Sequence, residues 1–257
     1  MELVICTRTF LTLIQKMTDS HKMGISERKE REKEQKRSLM LEAAEALILE
    51  KGLDNLNMTE VADRAEVSKG SLYQYFESKT DLVLGICDKA TGLLTKEIQK
   101  VLTQDKPGIE LVHMIGSTFM SFVTQHPEYF RAMKFHDNLK ETSDLEDSTF
   151  LNSCSTNMQS SFTCMVRAIQ IGMQDGSINS SYDPKELALI LWATSHGMVS
   201  MAYQHQNTQH FNLLNELGIN LKSLFENFMK MIGCGIATEA QKGNYDSQSF
   251  FETNGTN

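Results

Sequence analysis

Apolar residues recur at helical spacing along almost the whole chain. Met40, Leu41, Ala44, Leu47 and Ile48 form one stripe, which ends at Gly52, a residue suited to a left-handed C-terminal cap. A second, short helix is predicted from Asn57 as N-cap. Glu60 stands where it completes a capping box, and Leu56 and Val61 occupy the two positions of a hydrophobic staple. That helix points Val61, Ala62 and Ala65 inward. Val67 and Ser68 make a turn, and a third helix starts near Lys69 with Leu72 and Phe76 four apart on its buried side. Ser78 and Asp81 then open a fourth helix through Leu82, Ile86, Leu93 and Ile98 to about Leu102, before Pro107-Gly108 breaks it.

From residue 109 everything legible stays helical. The segment 109–125 is apolar and Met-rich, and HPEYF at 126–130 interrupts it. Asn138 to Ser148 reads as a loop. Periodicity resumes from about Phe150 to Gln174 and stops at Asp175-Gly176. Asp183-Pro184 begins another helix, with proline where its missing N–H costs nothing. A last long helix is expected over about Leu213–Ile232, with Leu217, Leu221, Leu224, Phe225 and Phe228 on one side. No segment reads as a strand. The expected class is all-α, about nine helices, in two parts: a three-helix unit with a helix-turn-helix over 26–80 (motif 57–76) and a larger helical unit over 81–236. Residues 1–25 are expected to be a disordered leader or a mis-assigned start, and 237–257 a disordered polar tail. Residues 26–38 alternate acidic and basic side chains. They extend the first helix into solvent, an account favoured over a basic arm for the minor groove by Glu27, Glu30, Glu32 and Glu34.

The net charge of -8 argues against coating nucleic acid through a broad positive surface. The acidity is uneven, however: residues 22–80 hold 11 Lys/Arg against 12 Asp/Glu, and residues 81–257 hold 12 against 19. A local reader of DNA needs only a local set of contacts. Cys6, Cys87, Cys154, Cys164 and Cys234 show no CxxC and no zinc spacing, so they are expected to be small buried hydrophobes in a reducing cytosol. No apolar run reaches the roughly 20 residues of a membrane span. No cofactor or metal site is expected: His113, His136 and His196 read as core or surface histidines. Enzyme signatures such as GxSxG, a phosphate loop or HExxH are missing, so no catalytic residue is named.

What the third helix leaves facing outward is Lys69, Gly70, Ser71, Tyr73, Gln74 and Tyr75. Those donors, small residues and aromatics suit a helix entering the major groove. The run VADRAEVSKGSLYQYFESKTDL resembles the recognition segment of the tetracycline-repressor (TetR) family of bacterial regulators. The likeness extends upstream through MLEAAEALILEKGLDNLN, covering residues 35–95, and more loosely through IGMQDGSI and LALILWATSHGMVSM. The resemblance implies phosphate contacts from Asn57 and Thr59, and turn contacts from Ser68 and Lys69. It implies close approach at Gly70, hydroxyl contacts from Ser71, Tyr73 and Tyr75, and a phosphate grip by Lys79. One departure is Glu66, where many members of the family carry glycine.

The resemblance also implies a homodimer on a pseudo-palindromic operator, with Leu187, Leu191, Leu221, Phe225 and Phe228 among the interface residues. Flexible Met- and Phe-rich helices suit a pocket for a small apolar or amphipathic effector, lined by Met114, Phe119, Phe122, Met165, Trp192 and His196. An ordinary core is the stronger reading for any single methionine, and Trp192 and His196, four apart on one helix, line either that pocket or the dimer seam. A ligand-released repressor in the cytoplasm is the leading expectation. The competing one is a helical ligand-binding or interaction module that no longer binds DNA.

Overall fold

The computed structural model describes residues 2–139, 148–204 and 213–238, with side chains before Glu27 outside the described set. The described residues are helical apart from turns and one isolated antiparallel bridge, Ile178 with Ala237. The chain divides into two compact units, Met1–Leu82 and Val83–Asn257, two residues beyond the expected boundary. The expected loop over 138–148 lies mostly outside the described residues, as does the tail beyond Thr238.

In the first unit, α1 spans Glu2–Lys51, α2 Met58–Arg64 and α3 Lys69–Tyr73, and α4 (Lys79–Leu102) begins there. The expected disordered leader is instead helical backbone from Glu2, continuous with the charged run behind it. The first proline of the chain is Pro107, so nothing in the leader forbids helix. Side chains 27–36 face solvent, with Arg28 bonded to Glu32 at 2.8 Å one turn on. Met40, Ala44, Leu47, Ile48, Leu56, Val61, Ala62, Leu72 and Phe76 are buried together in one small core. Gly52 closes α1 at φ +82. Ala65 is only half-buried, and α3 ends before Phe76, which packs from the following turn.

The second unit holds the rest of α4, then α5 (Gly108–Gln125), α6 (Pro127–Asp137), α7 (Thr149–Gln174), α8 (Pro184–Gln204), a single turn α9 (Leu213–Glu216) and α10 (Leu221–Ile236). The single long last helix expected from Leu213 is broken. Gly218 takes φ +65 after α9, and Asn220 caps a fresh start by accepting from Ser223 N at 2.7 Å. Leu217, expected on the packed stripe, is therefore exposed, and Leu93 on α4 is exposed as well. Helix α5 packs on α7, α7 on α8, and α8 and α5 on α10.

Backbone approaches backbone where α5 meets α7. The amino terminus of α5 is capped from across the fold: Gly108 N donates to Asp175 Oδ2 at 2.7 Å, and Ile109 N to Ser177 Oγ at 3.2 Å. The same turn receives the end of α10, because Asn179 N bonds Ile236 O at 2.8 Å.

Between α4 and α7 runs a polar seam. Asp88 accepts from Ser153 and Asn157, and Thr95 Oγ1 meets Asn157 O at 3.0 Å and Ser161 Oγ at 2.8 Å. Within it Cys87 and Cys154 form a disulfide, which overturns the reading of all five cysteines as free hydrophobes. Sequence separation hid the pair, since 67 residues lie between them and the facing register comes only from packing. Cys164 and Cys234 are free. Among the described residues no helix is long and apolar enough to cross a membrane.

Candidate nucleic-acid interface and ligand cavity

The helix-turn-helix is fixed by its caps. Asn57 accepts from Thr59 N at 2.8 Å, and Ser68 Oγ accepts from Ser71 N at 3.1 Å. The reciprocal half of the first capping box does not form, because the Glu60 carboxylate pairs with Lys51 of α1 instead. An opposite charge on a neighbouring helix outcompetes the backbone N–H for that carboxylate. At the start of α4, Ser78 Oγ does accept from Asp81 N at 3.1 Å. Asp81 reaches back to Glu77 N, one residue further out than a strict box.

Asn57, Thr59, Ser68, Lys69, Gly70 and Tyr73 are exposed on this segment, while Ser71, Tyr75 and Lys79 are half-buried. A Cβ added at Gly70 would meet only Ser68 Oγ at 4.0 Å, so nothing within the chain requires glycine there. Room for an outside backbone is what remains. Lys79 has a structural duty that spacing did not reveal: its Nζ donates to Asp54 O at 2.9 Å, holding the α1–α2 turn. An ammonium has three donors, so this contact still leaves protons for a phosphate.

Glu66 is the described non-glycine residue with positive φ, at +55. That explains why glycine suits the position: the turn demands a left-handed residue, and a side chain there costs about 1 kcal/mol. Glu66→Gly is expected to raise stability by up to about 1 kcal/mol, read as a higher urea midpoint. A lower midpoint would show that this backbone is not strained.

In the second unit a part-open pocket, about 390 Å3 when the solvent space at its mouth is included, is lined by residues of α4, α5, α7 and α8. Of the six expected pocket residues, Phe119, Met165, Trp192 and His196 line it. Met114 does not, and Phe122 stacks on Tyr129 at 5.7 Å instead. Phe122 lies on the same face of α5 as Ile115 and Phe119 but further along the helix, where it meets His126 and Tyr129. Leu94, Ile98, Ile115, Gly116, Ser161 and Ser195 were missed. Ile98 reads only as a core position of α4 and Leu94 lies off the expected stripe, and no pattern in one helix reveals a void shared among four.

His196 lies between two rings, with centroids 4.8 Å from Phe119 and 4.8 Å from Trp192. Burial lowers its pKa to about 4, against the pull of Asp137 toward protonation, with Lys134 adding to the lowering. The unfolded chain thus takes up this proton at higher pH than the folded one. His196 contributes stability that is present above pH 6.5 and lost as pH falls toward 4. The loss is expected to reach about 3 kcal/mol and to be missing from His196→Gln. Parallel stability–pH curves for the two proteins would contradict it.

The expected dimer residues divide. Leu187, Leu191 and Phe225 are buried within the unit, and Leu191 lines the cavity. Leu221 and Phe228 are half-buried. What α8 and α10 leave outside includes Ile190, 55 % exposed, Met201 and Met231, 73 % exposed. Gly197 and Gly235 share this exposure, with nothing within 4 Å of an added Cβ. Helix α8 is apolar on both sides, so periodicity alone did not tell inner from outer. Among the described residues no group of three His, Cys, Asp or Glu is placed to hold a metal ion.

Residues 40–86 match the family described as bacterial regulatory proteins, tetR family. Among curated proteins the chain is 27% identical over 109 residues to the HTH-type transcriptional activator FasR of Mycolicibacterium smegmatis, covering 42% of this chain and 50% of FasR. It is 25% identical over 148 residues to the HTH-type transcriptional repressor KstR2 of the same organism, covering 58% and 70%. The chain thus spans about half the length of FasR. A solved structure of similar fold is the transcriptional regulator FadR of Bacillus subtilis in complex with stearoyl-CoA. Its TM-score is 0.61 at 15% identity, covering 77% of this chain and 98% of that one.

Proposed function

We propose that this chain, which belongs to the TetR family of bacterial regulators, is a homodimeric, DNA-binding repressor released by a small effector. The observation that carries the DNA reading is the outer surface of α3. Lys69, Gly70 and Tyr73 stand exposed on a helix whose other side, Leu72, is buried in the domain core. Such a helix presents donors and a ring to a groove while its own packing stays fixed. Asn57 and Thr59 at the start of α2 add phosphate contacts at a helix amino terminus. Among its relatives are an activator and a repressor, and the repressor reading follows the latter, which is matched over the larger share of its length.

The effector site is the cavity beside Trp192. Helix α4 is continuous from Lys79, next to the recognition segment, to Leu94 and Ile98 on the cavity wall. A ligand that favours one placement of α4 changes affinity for DNA by its difference in affinity for the two states, typically about 1–3 kcal/mol. The similar FadR fold is solved in complex with stearoyl-CoA, so a protein of this fold does take up a small-molecule ligand. Dimerisation is assigned to the outer faces of α8 and α10, around Ile190, Gly197, Met201, Phe228 and Met231. Small residues there let helices approach closely, and two recognition helices then meet half-sites about 34–36 Å apart. A chromosomal operator implies a cytoplasmic protein.

Lys69→Ala and Tyr75→Ala are each expected to weaken operator binding by about 1–3 kcal/mol. Circular dichroism and the dimer mass should not change, because neither side chain builds the core. Wild-type affinity in both variants would move the contact surface elsewhere.

A further inference from the structure

The cavity wall holds no Asp, Glu, Lys or Arg among its eleven residues. Its hydrogen-bonding capacity is also concentrated. Ser161 Oγ is already engaged by Thr95 Oγ1 at 2.8 Å. Among the described residues, neither the ring nitrogens of His196 nor the hydroxyl of Ser195 has a hydrogen-bond partner, and both residues line the cavity. Held between Phe119 and Trp192, His196 is a neutral imidazole at pH 7, with one donor and one acceptor. Around this corner the wall is aliphatic and aromatic: Leu94, Ile98, Ile115, Phe119, Met165 and Leu191.

The consequence is electrostatic. A carboxylate, phosphate or ammonium entering this space gives up its hydration and meets no charged side chain on the wall. Lys134 and Asp137, which act on His196 from α6, are paired with each other at 3.3 Å, an arrangement that disfavours entry. A hydroxyl or carbonyl gives up less and finds His196 and Ser195 waiting. We infer that the cavity selects an uncharged ligand, an apolar body bearing one hydroxyl or carbonyl that hydrogen-bonds with His196 and Ser195. This inference rests on the cavity being the effector site proposed above, and it narrows that ligand from apolar or amphipathic to uncharged with one polar group.

Trp192 is the single tryptophan of the chain and lines the cavity, so its emission reports occupancy directly. The test titrates full-length protein at pH 7.5 with 1-decanol and, separately, with decanoate, which share a chain and differ in charge. Decanol is expected to shift Trp192 emission saturably, with a Kd at least tenfold below that of decanoate. The double variant Ser195→Ala/His196→Phe keeps a ring in the stack and removes both partners. It is expected to bind decanol at least tenfold more weakly than wild type. Decanoate binding as tightly as decanol would overturn the charge selection, and unchanged decanol affinity in the double variant would overturn the hydrogen-bonding anchor. No response to either probe, with DNA binding intact, would instead reject the cavity as the effector site and this inference with it.

Discussion

Gly108→Ala is expected to destabilise the protein by at least about 3 kcal/mol. A Cβ at this position would lie 2.0 Å from Gly172 N, 2.3 Å from Gly172 Cα and 2.7 Å from Ala168 O. All three are backbone atoms of α7, which cannot rotate aside as a side chain does. Helix α5 would have to lift off α7, and its amino terminus would leave the carboxylate of Asp175 and the hydroxyl of Ser177. The energetic loss therefore combines overpacking with two broken caps. Urea unfolding provides the check, with Gly92→Ala as control. Its added Cβ meets only Asn157 Nδ2 at 3.5 Å, an ordinary contact, so it should be neutral or slightly stabilising. Stability of Gly108→Ala within about 0.5 kcal/mol of wild type would mean that this close approach does not exist.

Reduction of the Cys87–Cys154 disulfide is expected to cost about 4 kcal/mol, the loop-closure value for its span of 67 residues. Asp88 and Thr91 still accept from Asn157 of α7, and Thr95 still donates to Asn157 O, so the reduced protein should still fold. The check is the urea midpoint with and without dithiothreitol, beside a Cys87→Ala/Cys154→Ala variant that should ignore the reductant. Equal midpoints for wild type in both conditions, with Cys87 and Cys154 alkylated without prior reduction, would show the pair to be thiols. A reducing compartment disfavours such bonds. The burial of both sulfurs is what would shield this one.

Local chemistry was the legible part of this chain. Asn57, Ser68, Gly52, Ser78 and the Asp183-Pro184 start each act within a few residues, and the structure uses each of them as a cap or stop. The outward positions Lys69, Gly70 and Tyr73 on α3 were readable for the same reason, because a helix with one buried stripe has a defined outside, whereas Ser71 and Tyr75 are half-buried. What escaped was set by distance in sequence. Asp175 caps a helix 67 residues away, and Glu60 abandons its own helix for Lys51. On α8 the difficulty was of another kind. Leu187 and Ile190 look alike in sequence, yet one is buried and the other exposed, because apolar residues surround that helix. A cavity walled by four helices shows in none of them singly, so the Met- and Phe-rich helices and the Trp192–His196 pair gave four of its lining residues, Phe119, Met165, Trp192 and His196, and not the aliphatic rest.

The central claim is that α3 reads DNA and that the cavity controls it. Fluorescence anisotropy of the full-length protein against a labelled fragment from beside its own gene tests this most directly, at two salt concentrations and with random DNA as competitor. The account predicts saturable binding that survives the competitor, weakens with salt and is lost in part in Lys69→Ala. Binding no stronger than that of random DNA, or equal binding by Lys69→Ala and Tyr75→Ala, would contradict it.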